Sequence, residues 1–307
     1  MELVLVSVRG FCAGVVRAVD TVHRALEVFG APVYVKHKIV HNHFVVDLLE
    51  KKGAVFVDEL KDVPKGGVLI FSAHGVPPSV RQEAKLRDLK IIDATCGLVT
   101  KVHSAVLRFK KMGIPTIVIG HRDHVEIIGI TGESLETTFV VENTDEVDLI
   151  PFDPKKPVSV VTQTTLSLLD LEPIMEKIHT RFSQVETMPS SSICYATTNR
   201  QTALKSALSG ADLVLVVGDP SSSNAVRLTE IARHEGVQTY LISNPKALRS
   251  DFFDHKKRVV ITSGASVPEE LFFEVVEAIE ALKDLKKVIY GEPEEKVFFE
   301  VPAQLRK

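Results

Sequence analysis

The sequence predicts an α/β protein made of three pseudo-equivalent α/β subdomains with mainly parallel sheets, in a trefoil-like arrangement around a central cavity. Three observations carry that reading. Short β-branched runs alternate with longer segments of helical periodicity. The alternation restarts three times, and each restart places a cysteine between a strand and a helix. Those cysteines, Cys12, Cys96 and Cys194, lie 84 and 98 residues apart, which suits one per repeat of about 90 residues.

The first pass opens with a strand over 3–8 and a loop, Arg9 to Gly14, that contains Cys12. A helix follows, with Val15, Ala18, Val19, Val22, Ala25, Leu26 and Phe29 at i, i+3, i+4, i+7 spacing and Gly30 at its end. Strands are expected at 33–36, 54–57 and 68–71, the last running into Ser72, Ala73, His74 and Gly75. The second pass starts with a strand over 90–94, Cys96, and a helix with Val99, Val102, Val106 and Phe109 inward. Its next strand, 116–119, leads into the loop Gly120 to Glu126, and a strand over 158–161 ends at Gln163 and Thr164. The third pass has a strand at 184–188, the serine-rich loop 190–193 before Cys194, and a helix to about Gly210. A strand over 213–217 then meets Gly218 to Asn224, and one over 258–262 meets Ser263 to Ser266. The subdomains expected are 1–94, 95–188 and 189–307. Open parallel sheets present ligands at the carboxyl ends of their strands. Three such units about a pseudo-threefold axis would turn three cysteines and three polar loops into one cavity.

Composition narrows the function. A chain of 307 residues exceeds what one hydrophobic core usually supports. With 45% apolar and 25% charged residues it is not a disordered protein, and a net charge of −3 excludes binding to nucleic acid through a basic surface. No apolar stretch approaches the roughly 18 residues of a membrane span. The first eight residues lack a basic leader and a small-residue cleavage site, so they read as a strand and not a signal peptide. Three cysteines are an odd count that cannot form a disulfide framework, which points to a reducing, cytoplasmic compartment.

A cysteine at a helix N-terminus meets backbone N–H groups and the positive end of the helix dipole, and both favour the thiolate. One such residue is ordinarily a buried small side chain. Three in matching positions suit a metal centre, and thiolates select zinc, copper(I) or iron–sulfur clusters. Three thiolates would leave one iron of a cubane open to substrate. Zinc with three cysteines and a histidine competes, although structural zinc sites usually use close cysteine pairs, which this chain lacks. His41, His43, His74, His121 and His124, with Ser222, Ser223 and Asn224 ahead of a helical run, suit a small anion. Ser223 and Asn224 read equally as a helix cap. His121, His124 and Glu126 do not have a helical zinc-site spacing. Glu126 could donate a proton to a leaving oxygen, or be an exposed loop acid. Ser167 is expected to cap the helix that follows it.

Nine ordered blocks carry a resemblance: RGFCAGVVRA at 9–18, HNHFVVDLL at 41–49, FSAHGV at 71–76, DATCGLVTKVH at 93–103, GHRDHVE at 120–126, TQTTLS at 162–167, ICYATTNRQ at 193–201, SSNAVRL at 222–228 and SGAS at 263–266. With these the chain resembles the 4-hydroxy-3-methylbut-2-enyl diphosphate reductase (LytB-type) family over essentially its whole length. The resemblance implies a [4Fe-4S] cluster on Cys12, Cys96 and Cys194. It implies reductive dehydroxylation of an allylic alcohol diphosphate to isopentenyl and dimethylallyl diphosphates, the last step of the methylerythritol phosphate pathway. By position it implies diphosphate contacts from His41, His74, His124, Ser222, Ser223, Asn224 and Ser266, a substrate-hydroxyl contact from Thr164, and proton donation by Glu126. A ferredoxin or flavodoxin is the implied electron donor, and a monomer is expected. The chain departs from many family members in having Gly97 and Val125 where they have proline, and Ser221 where they have asparagine. Those changes bear on loop geometry. The tail, 296–307, is expected to pack back across the cavity mouth. Two rival classes remain: a cysteine-nucleophile transferase, which needs one essential cysteine, and an anion-sensing protein, which needs none.

Overall fold

The computed structural model describes residues 1–189, 191–292 and 296–306. Ser190 of the third cysteine loop and Lys307 of the tail lie outside them. In chain order the elements are β1 (Glu2–Val6), α1 (Ala13–Phe29), β2 (Val33–Lys36), α2 (His43–Lys51), β3 (Ala54–Val57), β4 (Val68–Phe71), α3 (Pro78–Leu86), β5 (Lys90–Asp93) and α4 (Gly97–Lys111). There follow β6 (Thr116–Ile119), α5 (Val125–Thr131), β7 (Thr138–Val141), β8 (Val158–Thr162), α6 (Leu168–Arg181), β9 (Val185–Thr187) and α7 (Tyr195–Ala207). The chain closes with β10 (Leu213–Val217), α8 (Ser223–His234), β11 (Thr239–Ile242), β12 (Arg258–Ser263), α9 (Glu269–Leu282) and β13 (Lys286–Tyr290). Among the described residues the strands form three sheets, ordered β11-β10-β12-β1-β13, β3-β2-β4-β5 and β7-β6-β8-β9, and all the pairings are parallel. The α/β class with parallel sheets is therefore as the sequence predicts.

The chain divides into two compact units. Unit 1 comprises 1–15, 41–45 and 195–298, and unit 2 comprises 16–40, 46–194 and 299–307. Unit 1 contains the five-stranded sheet. Its central strands, β1, β10 and β12, are almost wholly apolar and buried on both faces, as a parallel sheet covered by helices requires. The alternation of side chains splits its core in two. Leu3, Leu5, Leu213, Leu215, Val259 and Ile261 pack with Leu271, Phe272, Val275 and Ile279 of α9. Val4, Val6, Val214, Val216 and Val260 pack with Leu204 of α7 and with Ala225 and Leu228 of α8. Each such buried side chain stabilises by about 1.5–3 kcal/mol relative to exposure.

β1, at the head of the expected subdomain 1–94, pairs with β12 on one side and β13 on the other. Its run of leucine and valine is hydrophobic on both faces, so it needs the interior of a sheet, and the partners come from the far end of the chain. α1 differs slightly: Val15, Ala18, Val19, Val22 and Ala25 are buried, but Phe29 is 41% exposed at its last turn.

In unit 2 the remaining sheets each have their own cores. α4 buries Val99, Val102, Val106 and Phe109 as its periodicity requires, and His103 besides. The described tail residues 299–306 belong to unit 2. There Phe299 sits where a side chain at Gly97 would reach, 3.4 Å from a Cβ built on that glycine. Gly97 thus leaves room for an aromatic ring at the start of α4. Arg17 of α1 fastens the next residue, donating to the carbonyls of Glu300 (2.8 Å), Thr95 (2.8 Å) and Asp93 (3.2 Å). No helix among the described residues is long and apolar enough to cross a membrane.

Candidate functional site

Each cysteine sits where a loop turns into a helix. Cys12 directly precedes α1, Cys96 is the N-cap of α4, and Cys194 directly precedes α7; all three are half-buried. Around them the expected site residues fall into two hydrogen-bonded nets, one inside each unit.

In unit 2 the net runs through Thr164. Its carbonyl accepts the N–H of Cys194 (3.0 Å). Its own N–H donates to Glu126 Oε1 (2.6 Å), and its hydroxyl is 3.0 Å from Glu126 Oε2. Glu126 lies in the first turn of α5 and is only 2% exposed. It is therefore not an exposed loop acid. Burial pushes its carboxyl up from 4.5 to about 7, against the opposing pull of the two Thr164 hydrogen bonds.

His124 is the N-cap of α5, and its Nδ1 accepts the N–H of Glu126 (3.2 Å). A ring nitrogen that accepts carries no proton, so the neutral imidazole holds its hydrogen on Nε2, as a donor. This cap does locally what a proline at 125 would do, and Val125 begins the helix without one. The His124 ring meets that of His74 edge-on, with centroids 5.9 Å apart. His74 Nδ1 is 3.3 Å from Ser72 Oγ, and the adjoining Ala73 carbonyl accepts the N–H of Cys96 (2.9 Å). One connected set of contacts therefore spans Cys194, Thr164, Glu126, His124, His74 and Cys96. His121 stands beside it, its N–H on Gln163 Oε1 (3.1 Å).

In unit 1 the Cys12 N–H donates to the Ala265 carbonyl (3.1 Å), and the Ala265 N–H donates to Asn224 Oδ1 (2.9 Å). Asn224 is 4% exposed, and among the described residues its Nδ2 has no hydrogen-bond partner. A buried amide N–H in that condition is costly unless a ligand accepts from it. Ser266 Oγ donates to the His41 carbonyl (3.1 Å). Ser222 caps α8, and Ser223 and Asn224 form its first turn rather than preceding it. The cap is therefore Ser222 and not Ser223 or Asn224. Ser167 caps α6 as expected, accepting from Leu169 N–H (3.1 Å).

Three features escape a reading by motif. Asp219 is buried at the mouth of the loop before α8 and accepts from Ser221 and His43. An aspartate two residues before a serine is the local signal for such a turn. Arg200, fully buried, donates to the Gly10 carbonyl (2.8 Å) and so anchors the loop before Cys12. His103 and Glu133 make a buried pair (2.7 Å) that links α4 to the end of α5. Among the described residues no group of three or more His, Cys, Asp or Glu side chains is arranged to hold a single metal ion.

The geometry matches known proteins closely. The LytB protein family model matches residues 3–280. A 4-hydroxy-3-methylbut-2-enyl diphosphate reductase of Chlamydia pneumoniae is 50% identical, over 99% of this chain and 99% of that one. A protein of the same name from Protochlamydia amoebophila is 48% identical, over 98% of this chain and 96% of its own length. The solved E-1-hydroxy-2-methyl-but-2-enyl-4-diphosphate reductase from Plasmodium falciparum is 42% identical and superposes with a TM-score of 0.95, covering 99% of this chain and 96% of that one. Along almost its whole length, this chain belongs to the LytB protein family.

Proposed function

We propose that this chain is a 4-hydroxy-3-methylbut-2-enyl diphosphate reductase, an oxidoreductase of the methylerythritol phosphate isoprenoid pathway. The observation that carries the reading is the Glu126–Thr164 contact: a buried carboxyl with a pKa of about 7, bonded to a hydroxyl whose own backbone carbonyl holds Cys194. That arrangement suits loss of a hydroxyl group from carbon. Hydroxide is a poor leaving group, so a proton must reach it.

The reaction consumes two electrons and two protons, breaks the allylic C–O bond and releases water. Burial disfavours the charge of Glu126 and raises its pKa to about 7, so a large share of the carboxyl keeps its proton at neutral pH. When protonated it donates from Oε2 to Thr164 Oγ1, and the Thr164 hydroxyl passes its own hydrogen on to the substrate oxygen. The Thr164 N–H keeps Oε1 in place throughout. His41, His74, His124, Ser222, Ser223, Asn224 and Ser266 are assigned to the diphosphate. Two details support the assignment: the Nε2–H tautomer of His124 and the Asn224 Nδ2, which has no hydrogen-bond partner among the described residues. Holding the diphosphate fixes the allyl group against the reacting centre and removes the entropy of finding it.

The family is one of iron–sulfur enzymes, and the finer reading is a [4Fe-4S] cluster on Cys12, Cys96 and Cys194. The donor set fits: three half-buried thiols, each at the start of a helix, where dipole and N–H groups favour thiolate. Held by those three residues, such a cluster would supply single electrons and Lewis acidity toward the leaving oxygen. A ferredoxin or flavodoxin donor, a cytoplasmic location and a monomeric state rest on the resemblance alone.

The test is anaerobic reconstitution followed by assay with the allylic diphosphate and a reduced low-potential donor. Wild type should bind iron and sulfide and release isopentenyl and dimethylallyl diphosphates. Serine variants of Cys12, Cys96 and Cys194, made one at a time, should each lose both iron and turnover. Full turnover in any of them would remove that cysteine from the centre.

A further inference from the structure

Asp219 combines burial, charge and position in a way the reaction does not use. It is 6% exposed, and it ends the strand-to-loop turn that carries Ser222, Ser223 and Asn224. Burial by itself would push its carboxyl up. The bonds from the Ser221 hydroxyl and N–H and from the His43 N–H and ring outweigh that and hold it well below the usual carboxylate range. It is therefore an anion at any physiological pH, close in sequence to residues assigned to bind a dianionic group. A bare carboxylate there would oppose diphosphate by like-charge repulsion.

The geometry shows where its charge goes. Oδ1 takes the Ser221 N–H (2.9 Å) and hydroxyl (2.6 Å). Oδ2 takes the His43 N–H (3.0 Å) and the His43 ring Nδ1. The Asp219 carbonyl takes the Ser222 N–H (2.9 Å). The donors come from two segments 176 positions apart, the start of α2 beside His41 and the loop before α8. None of them is a group assigned to the diphosphate except through its backbone. Ser221 stands where many family members have asparagine, and here its hydroxyl is spent on Asp219.

We infer that Asp219 is a positioning residue for substrate binding: its carboxylate clamps the His41–His43 segment to the loop bearing Ser222, Ser223 and Asn224, so that both present their donors to the diphosphate together. Its negative charge is absorbed by four donors and does not face the ligand uncompensated. Loss of the clamp frees two segments that must then be ordered by the ligand, at an entropic cost to binding. The chemistry at Glu126 and Thr164 is left in place. This inference rests on the diphosphate reading of these residues.

The experiment is titration of the reconstituted full chain with inorganic pyrophosphate by calorimetry, alongside steady-state kinetics. Wild type should bind pyrophosphate, and Asp219→Ala should weaken that binding about tenfold or more, as loss of hydrogen bonds to a charged group predicts. KM for the allylic diphosphate should rise in proportion, with a much smaller change in kcat. Asp219→Asn, nearly isosteric, keeps an acceptor for Ser221 but sets an amide N–H against that of His43, so it should fall between the two. It also answers the question if the alanine variant does not fold. Equal pyrophosphate affinity in wild type and Asp219→Asn, or a loss in kcat with KM unchanged, would overturn the clamp. If wild type itself does not bind pyrophosphate, the diphosphate assignment fails first, and the clamp with it.

Discussion

Glu126 takes both donors of Thr164, the N–H on one carboxyl oxygen at 2.6 Å and the hydroxyl at 3.0 Å from the other. The pair is 38 residues apart in sequence and buried. A carboxylate without these bonds would be still harder to ionise, so Thr164 tunes the acid as well as holding it.

The first prediction concerns pH. The Glu126 carboxyl is raised from 4.5 to about 7. The folded protein therefore holds that proton more tightly than the unfolded chain. The stability it contributes is complete below 4.5 and is lost as pH rises through about 7. The acid form is also the proton donor, so kcat should fall on the alkaline side of about 7. Glu126→Gln should lower turnover about 100-fold or more and abolish that limb while keeping pyrophosphate binding. A pH–rate profile of wild type and variant checks this. An alkaline limb that survives in the variant would assign it to another group.

Thr164→Val separates tuning from donation. The valine keeps the N–H bond to Oε1 and removes the hydroxyl bond, one of the two contacts that lower the Glu126 pKa. The alkaline limb should move to higher pH, and turnover should drop about tenfold to 100-fold as the relay is cut. A limb that stays put or moves lower would show that Thr164 does not tune the acid.

Much of this was legible in the chain, and what was not has a physical reason. The inward face of α4 follows from its periodicity, because Val99, Val102, Val106 and Phe109 lie on one side of a 3.6-residue helix. Three strands give no such signal: β7, β11 and β13. All are sheet edges, where one side faces away from the core and a short run such as Lys286–Tyr290 stays largely exposed. The cysteine positions and the polar loops announce themselves by order. The Glu126–Thr164 contact does not, since the first turn of α5 and the loop after β8 lie 38 residues apart and are brought together only by the β6–β8 pairing. Asp219 is hidden for a similar reason: Ser221 is local, but His43 is remote. His103 carries no sequence signal of its own, because its partner lies 30 residues away.

That partner is Glu133. The His103 ring Nδ1 and Glu133 Oε1 are 2.7 Å apart, and the side chains are only 6% and 9% exposed. Glu133→Ala leaves the imidazole buried without its acceptor and should destabilise the protein by about 3 kcal/mol. Glu133→Gln keeps an acceptor and should cost about 1 kcal/mol. Urea unfolding of the apoprotein, with unchanged m-values, measures both. Equal costs for the two variants would show that charge and not the acceptor matters.

The same histidine lies under the His74 loop, which yields the last prediction. Gly75 has φ +78°, a conformation that disfavours any side chain. A Cβ there would also lie 2.9 Å from His103 Nε2 and 3.2 Å from Thr95 Cγ2. Gly75→Ala should therefore cost about 1–3 kcal/mol and, by displacing the adjoining His74, raise KM for the diphosphate substrate. Two causes act together, and a double mutant separates them. In a His103→Ala background the clash with the ring is gone while the backbone strain remains. The cost of Gly75→Ala should then shrink by more than about 0.5 kcal/mol, the limit within which independent sites add. Strict additivity would leave backbone strain as the sole cause and free the His74 loop from any dependence on the His103 ring.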